Sequence, residues 1–221
     1  MIEKIAILIS LESWFNNYLS RLTAGLHKYC PEVIIFHRHE DISKEFEIVF
    51  IISYFRIIEK NYLDMHQHNL VIHESDLPKG KGWSPMFWQI LEGKNQIPIV
   101  LFEATPEIDS GEIFVKDTIE LTGFELNYEL REKQALKTIE ICERYLKEYD
   151  DITENSQAQK GIATYYPKRE PKDSELDIKK TIKENFNLLR IVNNEEYPAF
   201  FYIDGQKYFI TISKVKESEK E

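Results

Sequence analysis

The segment Lys4-Ile5-Ala6-Ile7-Leu8-Ile9-Ser10 is a short, continuous apolar run, and it decides the class of fold. Uninterrupted apolar residues are typical of a strand that is buried on both faces, whereas a half-exposed strand alternates. From Ser13 to His27 the apolar residues recur at near-helical spacing, and Pro31 closes that segment. We therefore expect a central strand followed by a helix.

The same alternation continues along the chain. Two further helices are predicted, one over Pro85 to Gly93, with proline at its start and glycine at its end, and an amphipathic one over Glu129 to Tyr149. The fold class is therefore predicted to be α/β, with an open, mostly parallel, Rossmann-like sheet. The other predicted strands are Val33 to Phe36, Ile48 to Ser53, Leu70 to His73 and Ile99 to Glu103.

A small C-terminal appendage is expected beyond a polar boundary loop from Asp150 to Lys160. It contains a helix near Ile178 to Leu189 and two aromatic-rich runs, Ala199 to Ile203 and Lys207 to Ser213, joined by the hairpin signal Asp204-Gly205. We predict a main domain over residues 1–155, a helix and hairpin subdomain over 156–213 and a charged tail over 214–221. The aromatic hairpin suggests a possible homodimer.

Composition argues against several classes of function. The 28 Lys and Arg against 38 Asp and Glu give a formal charge of -10, which disfavours nucleic acid as the main partner. Cys30 and Cys142 have no CxxC or CxxH neighbour, and neither a secretory leader pattern nor a membrane-spanning run is present. We expect a cytoplasmic, reduced protein with no membrane partner.

Two histidine pairs could suggest a metal site. They are His37 with His39, and His66 with His68. Neither pair has a third ligand at a recognised spacing, so we expect solvated loops and no bound metal.

A candidate site begins at His73, at the carboxyl end of a predicted central strand, where open α/β sheets bind ligands. Gly80 and Gly82 follow and allow close approach of the backbone to a ligand. Asp109 lies in the loop after the next apolar run. Taken alone, the histidine would more often be a structural residue and the Asp109 loop an ordinary turn. Together, the two loops predict an acid–base pair of His73 and Asp109.

At these residues the chain resembles the 10-formyltetrahydrofolate-dependent formyltransferases. His73-x-Ser75-x-Leu77-Pro78, followed by Lys81-Gly82 and Pro85, resembles the family's histidine, its SLLP turn and its basic-Gly pair. Ile108-Asp109-Ser110-Gly111-Glu112-Ile113 is similar to its Leu-Asp-Thr-Gly-Asp-Ile motif. Ser53 to Ile58 resembles the folate loop, and Arg169 to Asp177 a motif that follows the catalytic domain. The resemblance spans residues 1 to about 213 and makes 1–155 the formyltransferase domain.

The resemblance implies transfer of a formyl group from 10-formyltetrahydrofolate to a primary amine. His73, beside Asp109, would donate to the oxyanion that forms on the formyl group. The family places an asparagine two residues before this histidine, where the present chain has Val71. Asn69, two residues further back, is the candidate replacement, with Ser75 or backbone amides as the alternatives.

The resemblance also implies binding residues. The alternative role for Arg56 is an ion pair with an acid such as Glu59. The alternative for the lysines and the tryptophan expected to bind the acceptor is that the lysines are solvated and the tryptophan packs against the protein. The residues expected to bind the folate are Tyr54, Phe55, Arg56, Ile57, Ile58, Phe102, Glu103, Ala104, Thr105, Pro106 and Ile108. Those expected to bind the acceptor are Ser75, Lys79, Gly80, Lys81, Trp83, Ser84 and Tyr197.

The acceptor amine is expected to be that of a nucleotide-linked amino deoxysugar. The acidic charge and the short C-terminal region disfavour methionyl-tRNA, and a glycinamide ribonucleotide enzyme would not need the appendage. The formylation domains of peptide synthetases are also similar, although those are embedded domains. Two other functions remain open: a formyltetrahydrofolate hydrolase, and a non-catalytic protein that binds folate or a nucleotide sugar.

Overall fold

The computed structural model describes residues 2–215 and consists of strands and helices that alternate for most of the chain. The strands are β1 (Lys4–Leu8), β2 (Glu32–Phe36), β3 (Ile48–Ile51), β4 (His68–His73), β5 (Lys81–Gly82), β6 (Gln96–Glu103), β7 (Ile113–Glu120), β8 (Tyr165–Tyr166), β9 (Ala199–Ile203) and β10 (Gln206–Ile210). The α-helices are α1 (Leu19–Leu26), α2 (Lys60–Leu63), α3 (Pro85–Leu91), α4 (Asn127–Lys147), α5 (Tyr149–Glu154) and α6 (Ile182–Ile191).

A six-stranded sheet in the order β2-β1-β3-β4-β6-β7 forms the centre of the fold. The strands β2, β1, β3 and β4 are parallel, whereas β6 is antiparallel to both of its neighbours. Residues Ile5 to Ile9 are fully buried, as expected for a central strand covered on both faces. The prediction of an α/β fold with a mostly parallel sheet is confirmed.

Strand β7 was not predicted from the sequence. Its residues, Ile113 to Glu120, read Ile-Phe-Val-Lys-Asp-Thr-Ile-Glu and place charged side chains among the apolar ones. This strand lies at an edge of the sheet and has exposed positions, so burial imposes a weaker apolar pattern on it than on β1. Its pairing with β6 extends the sheet on the side of β4.

The segment Asp150 to Lys160 is not a loop throughout, as the sequence had predicted. Its first residues belong to α5, which follows α4 almost without interruption. The buried side chain of Ile152 joins the main apolar core, and this packing outweighs the polar sequence around it.

The predicted helix near Ile178 to Leu189 begins later, at Ile182. Thr181 and Glu184 form a capping box at its N-terminus, which fixes the first helical residue. The hairpin of β9 and β10 is present, and Asp204 and Gly205 have φ values of 47° and 79°, as a two-residue hairpin turn requires. Of the predicted tail, residues 216–221 lie outside the described residues.

The prediction that the histidine pairs lie in solvated loops was wrong for two of the four. His39 is 7% exposed, and His68 lies in β4 with its Nδ1 2.9 Å from Glu103 Oε2. Among residues 2–215, no group of three or more His, Cys, Asp or Glu side chains is arranged to hold a metal ion. No helix in the same range is long and apolar enough to cross a membrane.

A buried ion pair joins α6 to the main sheet. Arg190, which is 1% exposed, donates from Nη2 to Glu125 Oε2 at 2.8 Å and from Nη1 to Asn95 Oδ1 at 3.1 Å. Burial alone would raise the pKa of Glu125, but hydrogen bonds from the Lys133 ammonium and the Thr122 N–H outweigh it and lower the pKa from 4.5 to about 2. The Glu125 carboxylate therefore stabilises the folded state at every pH at which it is ionised.

We predict that Glu125→Gln lowers the free energy of unfolding at pH 7 by about 3 kcal/mol, since a pKa difference of this size corresponds to that energy. The contribution of Glu125 is complete above pH 4.5 and is lost as the pH falls toward 2, so the difference between wild type and variant should shrink over that range. Urea titrations at several pH values measure it. Glu148→Gln, which removes the exposed partner of Arg144, should cost less than about 1 kcal/mol at any pH.

Candidate active site

The short strand β5 is the backbone element on which the site is built. On one edge it pairs with β8, where the Lys81 N–H donates to the Thr164 carbonyl at 2.9 Å and the Trp83 N–H to the Tyr166 carbonyl at 3.1 Å. The Gly80 N–H donates to Thr164 Oγ1 at 2.8 Å. These bonds fix the position of residues 80–83 relative to the C-terminal part of the chain.

The other edge of the same segment holds the predicted pair. His73 Nε2 is 2.8 Å from the Gly80 carbonyl oxygen, and the Gly82 N–H donates to Asp109 Oδ2 at 2.8 Å. The distance from His73 Nε2 to Asp109 Oδ2 is 3.9 Å, and the two side chains are only 8% and 13% exposed. The structure therefore brings His73 and Asp109 together around one short strand.

The bond to Gly80 fixes which nitrogen of His73 carries a proton. A carbonyl oxygen can only accept, so Nε2 must be the donor and the neutral ring is the Nε2–H tautomer. Among the described residues, no protein group hydrogen-bonds to Nδ1. Nδ1 is thus the nitrogen that can accept a proton in the neutral ring or donate one from the protonated ring.

Residues after the predicted boundary hold the Asp109 loop in place. Gln159 Nε2 donates to the carbonyl oxygens of Asp109 and Gly111 at 3.0 and 2.9 Å. Asp109 itself has a φ of 51°, a conformation that needs such support. Gln159, Thr164 and Tyr166 were missed by the sequence analysis, because a polar linker gives no signal of bonds to distant backbone.

The two loops predicted to enclose the folate rest on one apolar cluster. Tyr54 and Ile58 from one loop, Ala104 from the other and Val71 of β4 all pack against buried side chains of β1 and β3. Apolar side chains of both loops remain exposed, with Ile57 at 76% and Ile108 at 59%. The two loops therefore share an apolar base and present apolar side chains at the surface.

Side chains on the preceding loop support the first of these two loops. His39 Nδ1 lies 2.8 Å from the Tyr54 hydroxyl, and burial lowers the pKa of His39. Arg56 forms a two-armed ion pair with Glu40, not with Glu59, and its hydrogen bonds lower the pKa of Glu40 to about 2. The Arg56 guanidinium is therefore already paired with a carboxylate of the protein.

Several predicted folate-binding residues are engaged elsewhere. Glu103 accepts from the backbone N–H of Asn69 at 2.7 Å and pairs with His68. Phe102 is buried beneath the site with Leu77, and Thr105 donates to the Glu107 carbonyl. Phe55 and Pro106 are exposed, and the Phe55 ring lies 5.9 Å from that of Trp83.

Asn69 is not brought to the pair. It lies four residues before His73 on β4, and its side-chain Nδ2 donates to the Leu63 carbonyl at 2.8 Å. At about 3.3 Å per strand residue, it is roughly 13 Å from His73 along the strand. A catalytic role for Asn69 stays a prediction.

The predicted acceptor-binding residues are dispersed. Ser75 is 2% exposed and its hydroxyl has no hydrogen-bond partner. Lys81 is buried and donates to Ser110 Oγ and the Ile108 carbonyl, so it links the two site loops.

Lys79 and Trp83 are exposed, and Ser84 leads into α3 with a φ of 48°. Tyr197 lies in the C-terminal part, where its N–H donates to the Asn193 carbonyl.

Comparison with known proteins agrees with this geometry. Residues 38–141, just under half of the chain, match the model of a family described as formyl transferase. The matched stretch contains both His73 and Asp109. This part of the chain is therefore similar to the formyl transferase family.

Curated relatives include two methionyl-tRNA formyltransferases. That of Protochlamydia amoebophila is 28% identical over 85% of this chain, and that of Acetivibrio thermocellus 29% over 76%. The matched regions make up 61% and 54% of those proteins, so the chain spans little more than half the length of these relatives.

Solved structures share the fold at low identity. A methionyl-tRNA formyltransferase from Clostridium thermocellum has a TM-score of 0.78 at 20% identity, covering 98% of this chain and 95% of that one. A sugar N-formyltransferase from Shewanella sp FDAARGOS_354 has 0.67 at 15%, covering 97% and 99%. HypX from Aquifex aeolicus, solved in complex with tetrahydrofolic acid, has 0.71 at 17%, covering 91% and 36%.

We predict that Gly82→Ala disrupts the site. Gly82 has a φ of 95°, and an added Cβ would lie 2.5 Å from the Tyr166 carbonyl oxygen, so β5 would have to move away from β8. Gly93→Ala is the matched control, since its φ is 87° but no atom lies within 4 Å of the added Cβ. Gly93→Ala should cost about 1 kcal/mol of unfolding free energy and Gly82→Ala roughly 2 kcal/mol more. Equal losses in urea titrations would contradict the close packing of β5 on β8.

Proposed function

We propose that this protein transfers a formyl group from 10-formyltetrahydrofolate to the free amine of a nucleotide-linked amino deoxysugar. The observation that carries the proposal is the placement of His73 and Asp109 against Gly80 and Gly82, within the stretch that matches the family. A buried imidazole and carboxylate 3.9 Å apart can stabilise opposite charges that form together.

The two loops on the shared apolar base fit the folate. A pteridine-type ring needs apolar walls and backbone hydrogen-bond partners, and Tyr54 and Ile58 on one loop and Ala104 on the other offer apolar surface for it. The exposed Ile57 and Ile108 would be covered by a bound ring. The tetrahydrofolate complex of the fold relative HypX supports the same class of ligand. The folate supplies the formyl group.

Formyl transfer requires a proton donor for the formyl oxygen and a proton acceptor for the amine. When the amine nitrogen bonds to the formyl carbon, negative charge develops on the formyl oxygen and positive charge on the nitrogen. Protonated His73 would donate from Nδ1 to that oxygen, because Nε2 is bound to Gly80. Asp109 would stabilise positive charge on the ring and would accept the amine proton directly or through water. That proton would then pass to the folate nitrogen as its bond to the formyl carbon breaks, and His73 would recover its own proton when the carbonyl re-forms.

A second donor to the oxygen is expected, because Val71 stands where the family has an asparagine. Ser75 is our candidate. Its hydroxyl is buried without a partner, and Gly80, the residue that binds His73, lies beside it, since a Cβ built on Gly80 would be 3.1 Å from Ser75 Cβ. An unpartnered buried hydroxyl beside a catalytic histidine is what a donor kept for a developing charge would look like.

Charge favours a sugar acceptor over tRNA. The formal charge of -10 is unfavourable for binding tRNA, and a sugar N-formyltransferase is among the solved structures that share the fold. Methionyl-tRNA is the second candidate, since the curated relatives carry that name.

The assay supplies the protein with 10-formyltetrahydrofolate and either a panel of nucleotide-linked amino sugars or methionyl-tRNA, and detects formylated product by mass spectrometry. We expect turnover with at least one sugar, and a loss of about 10²- to 10⁴-fold in kcat for His73→Ala. His27→Ala changes an exposed histidine and serves as the control. Formylation of methionyl-tRNA alone would replace the acceptor, and release of free formate without acceptor would indicate a hydrolase. Undiminished folate binding with no turnover on any acceptor would contradict an enzyme.

For Ser75 we predict that Ser75→Ala lowers kcat by about 10²- to 10³-fold with little change in KM, as for removal of one oxyanion donor. Adding Val71→Asn to that variant should recover part of the kcat, because an amide donor would return on the same face of β4. Thr23→Val removes another buried hydroxyl that lacks a partner, in α1, and should leave kcat unchanged. If Ser75→Ala retains most of its turnover, Ser75 is not the donor.

A further inference from the structure

A cavity of about 520 Å³ lies beside the site loops and has three lysines in its lining. Lys79 comes from the turn after β4, Lys116 from β7 and Lys160 from the segment after α5. One carboxylate, Asp76, also lines it, so the lining carries three cationic side chains and one anionic side chain. In a chain with a formal charge of -10, this is a local reversal of sign.

These lysines are not engaged by the protein. Within residues 2–215 the ion pairs include many lysines, among them Lys4, Lys28 and Lys133, but none of the three that line the cavity. Their amines also make no hydrogen bond to another described residue. Ser156 and Gln157 add polar groups to the wall, and Ser156 donates to Glu112. Three unpaired lysines against one carboxylate in the lining of one cavity favour an anionic ligand.

The cavity shares its walls with the segments that hold the site. Lys79 directly precedes Gly80, which binds His73, and Lys160 directly follows Gln159, which binds the Asp109 loop. Lys116 lies opposite Val100, and Val100 opposite His73, in one row across the sheet. Two strand spacings of about 4.8 Å place the Cα atoms of His73 and Lys116 roughly 10 Å apart.

We propose that this cavity binds a diphosphate or triphosphate group. A phosphate chain carries several charges over a short length and can pair with all three lysines of the lining, whereas a single carboxylate would leave two of them unmatched. Two sources share this chemistry: the diphosphate of the acceptor, which rests on the proposed function, and a free nucleotide that binds independently of it.

The site itself is tested with inorganic pyrophosphate by titration calorimetry, which needs neither folate nor acceptor. We expect the triple variant Lys79→Gln, Lys116→Gln, Lys160→Gln to weaken binding by about tenfold or more per lysine that contacts the ligand. The matched control replaces Lys44, Lys179 and Lys183, which are exposed and make no ion pair among the described residues, and changes the net charge equally. It should bind pyrophosphate as wild type does.

Steady-state kinetics with the acceptor that is formylated distinguish the two sources of the phosphate group. If the acceptor's diphosphate occupies the cavity, the triple variant raises its KM at least tenfold and pyrophosphate competes with it; if a free nucleotide does, the KM is unchanged although pyrophosphate binding is lost. Equal pyrophosphate affinity in the pocket and control variants, or no binding to wild type, overturns the proposal. Pyrophosphate binding without any formyl transfer would support the cavity and contradict the proposed function instead.

Discussion

The arrangement of the site depends on one constraint, the use of both edges of residues 80–82 for hydrogen bonding. An extended backbone presents its polar groups alternately to either side. Here the Gly80 carbonyl and the Gly82 N–H face His73 and Asp109, while the Lys81 and Trp83 N–H groups face β8. Glycine is required at both ends because each has a positive φ and lies against Tyr166. Any displacement of β8 is therefore transmitted to both members of the pair.

This construction orients the pair before any ligand binds. His73 is held by a neutral carbonyl and Asp109 by a backbone N–H, so neither depends on the other for its orientation. Preorganised dipoles of this kind need no rearrangement when charge develops beside them. Val71, two residues before His73 on β4, has no hydrogen-bonding side chain, which increases the importance of the polar groups that lie near the pair.

The sequence predicted those parts of the fold whose signals are local or strongly periodic. The buried run of β1, the proline and glycine around α3 and the Asp204-Gly205 turn each depend on neighbouring residues, and each is present in the structure. The pairing of His73 with Asp109 was predicted from neighbouring strand ends and a family resemblance, but the first argument was wrong, because β6 is antiparallel to β4 and ends beside Leu70. Strand β7 was missed because an edge strand tolerates charges.

Long-range bonds to backbone atoms could not be predicted. Nothing in the spacing of Gln159 or Thr164 indicates that the first binds the Asp109 loop and the second binds Gly80. The same limit applies to Arg56, whose partner is Glu40 on another loop. Such contacts depend on how separate segments meet in space, which a single sequence does not encode in any local pattern.

The attachment of β5 to β8 also sets an order of events during synthesis. Residues 38–141, which match the family, contain His73 and Asp109 but none of the groups that fix Gly80 and the Asp109 loop from outside. Those groups lie between residues 157 and 166, beyond α5. A nascent chain can therefore form most of the sheet first, but its histidine and aspartate reach their final positions only after this later segment has left the ribosome.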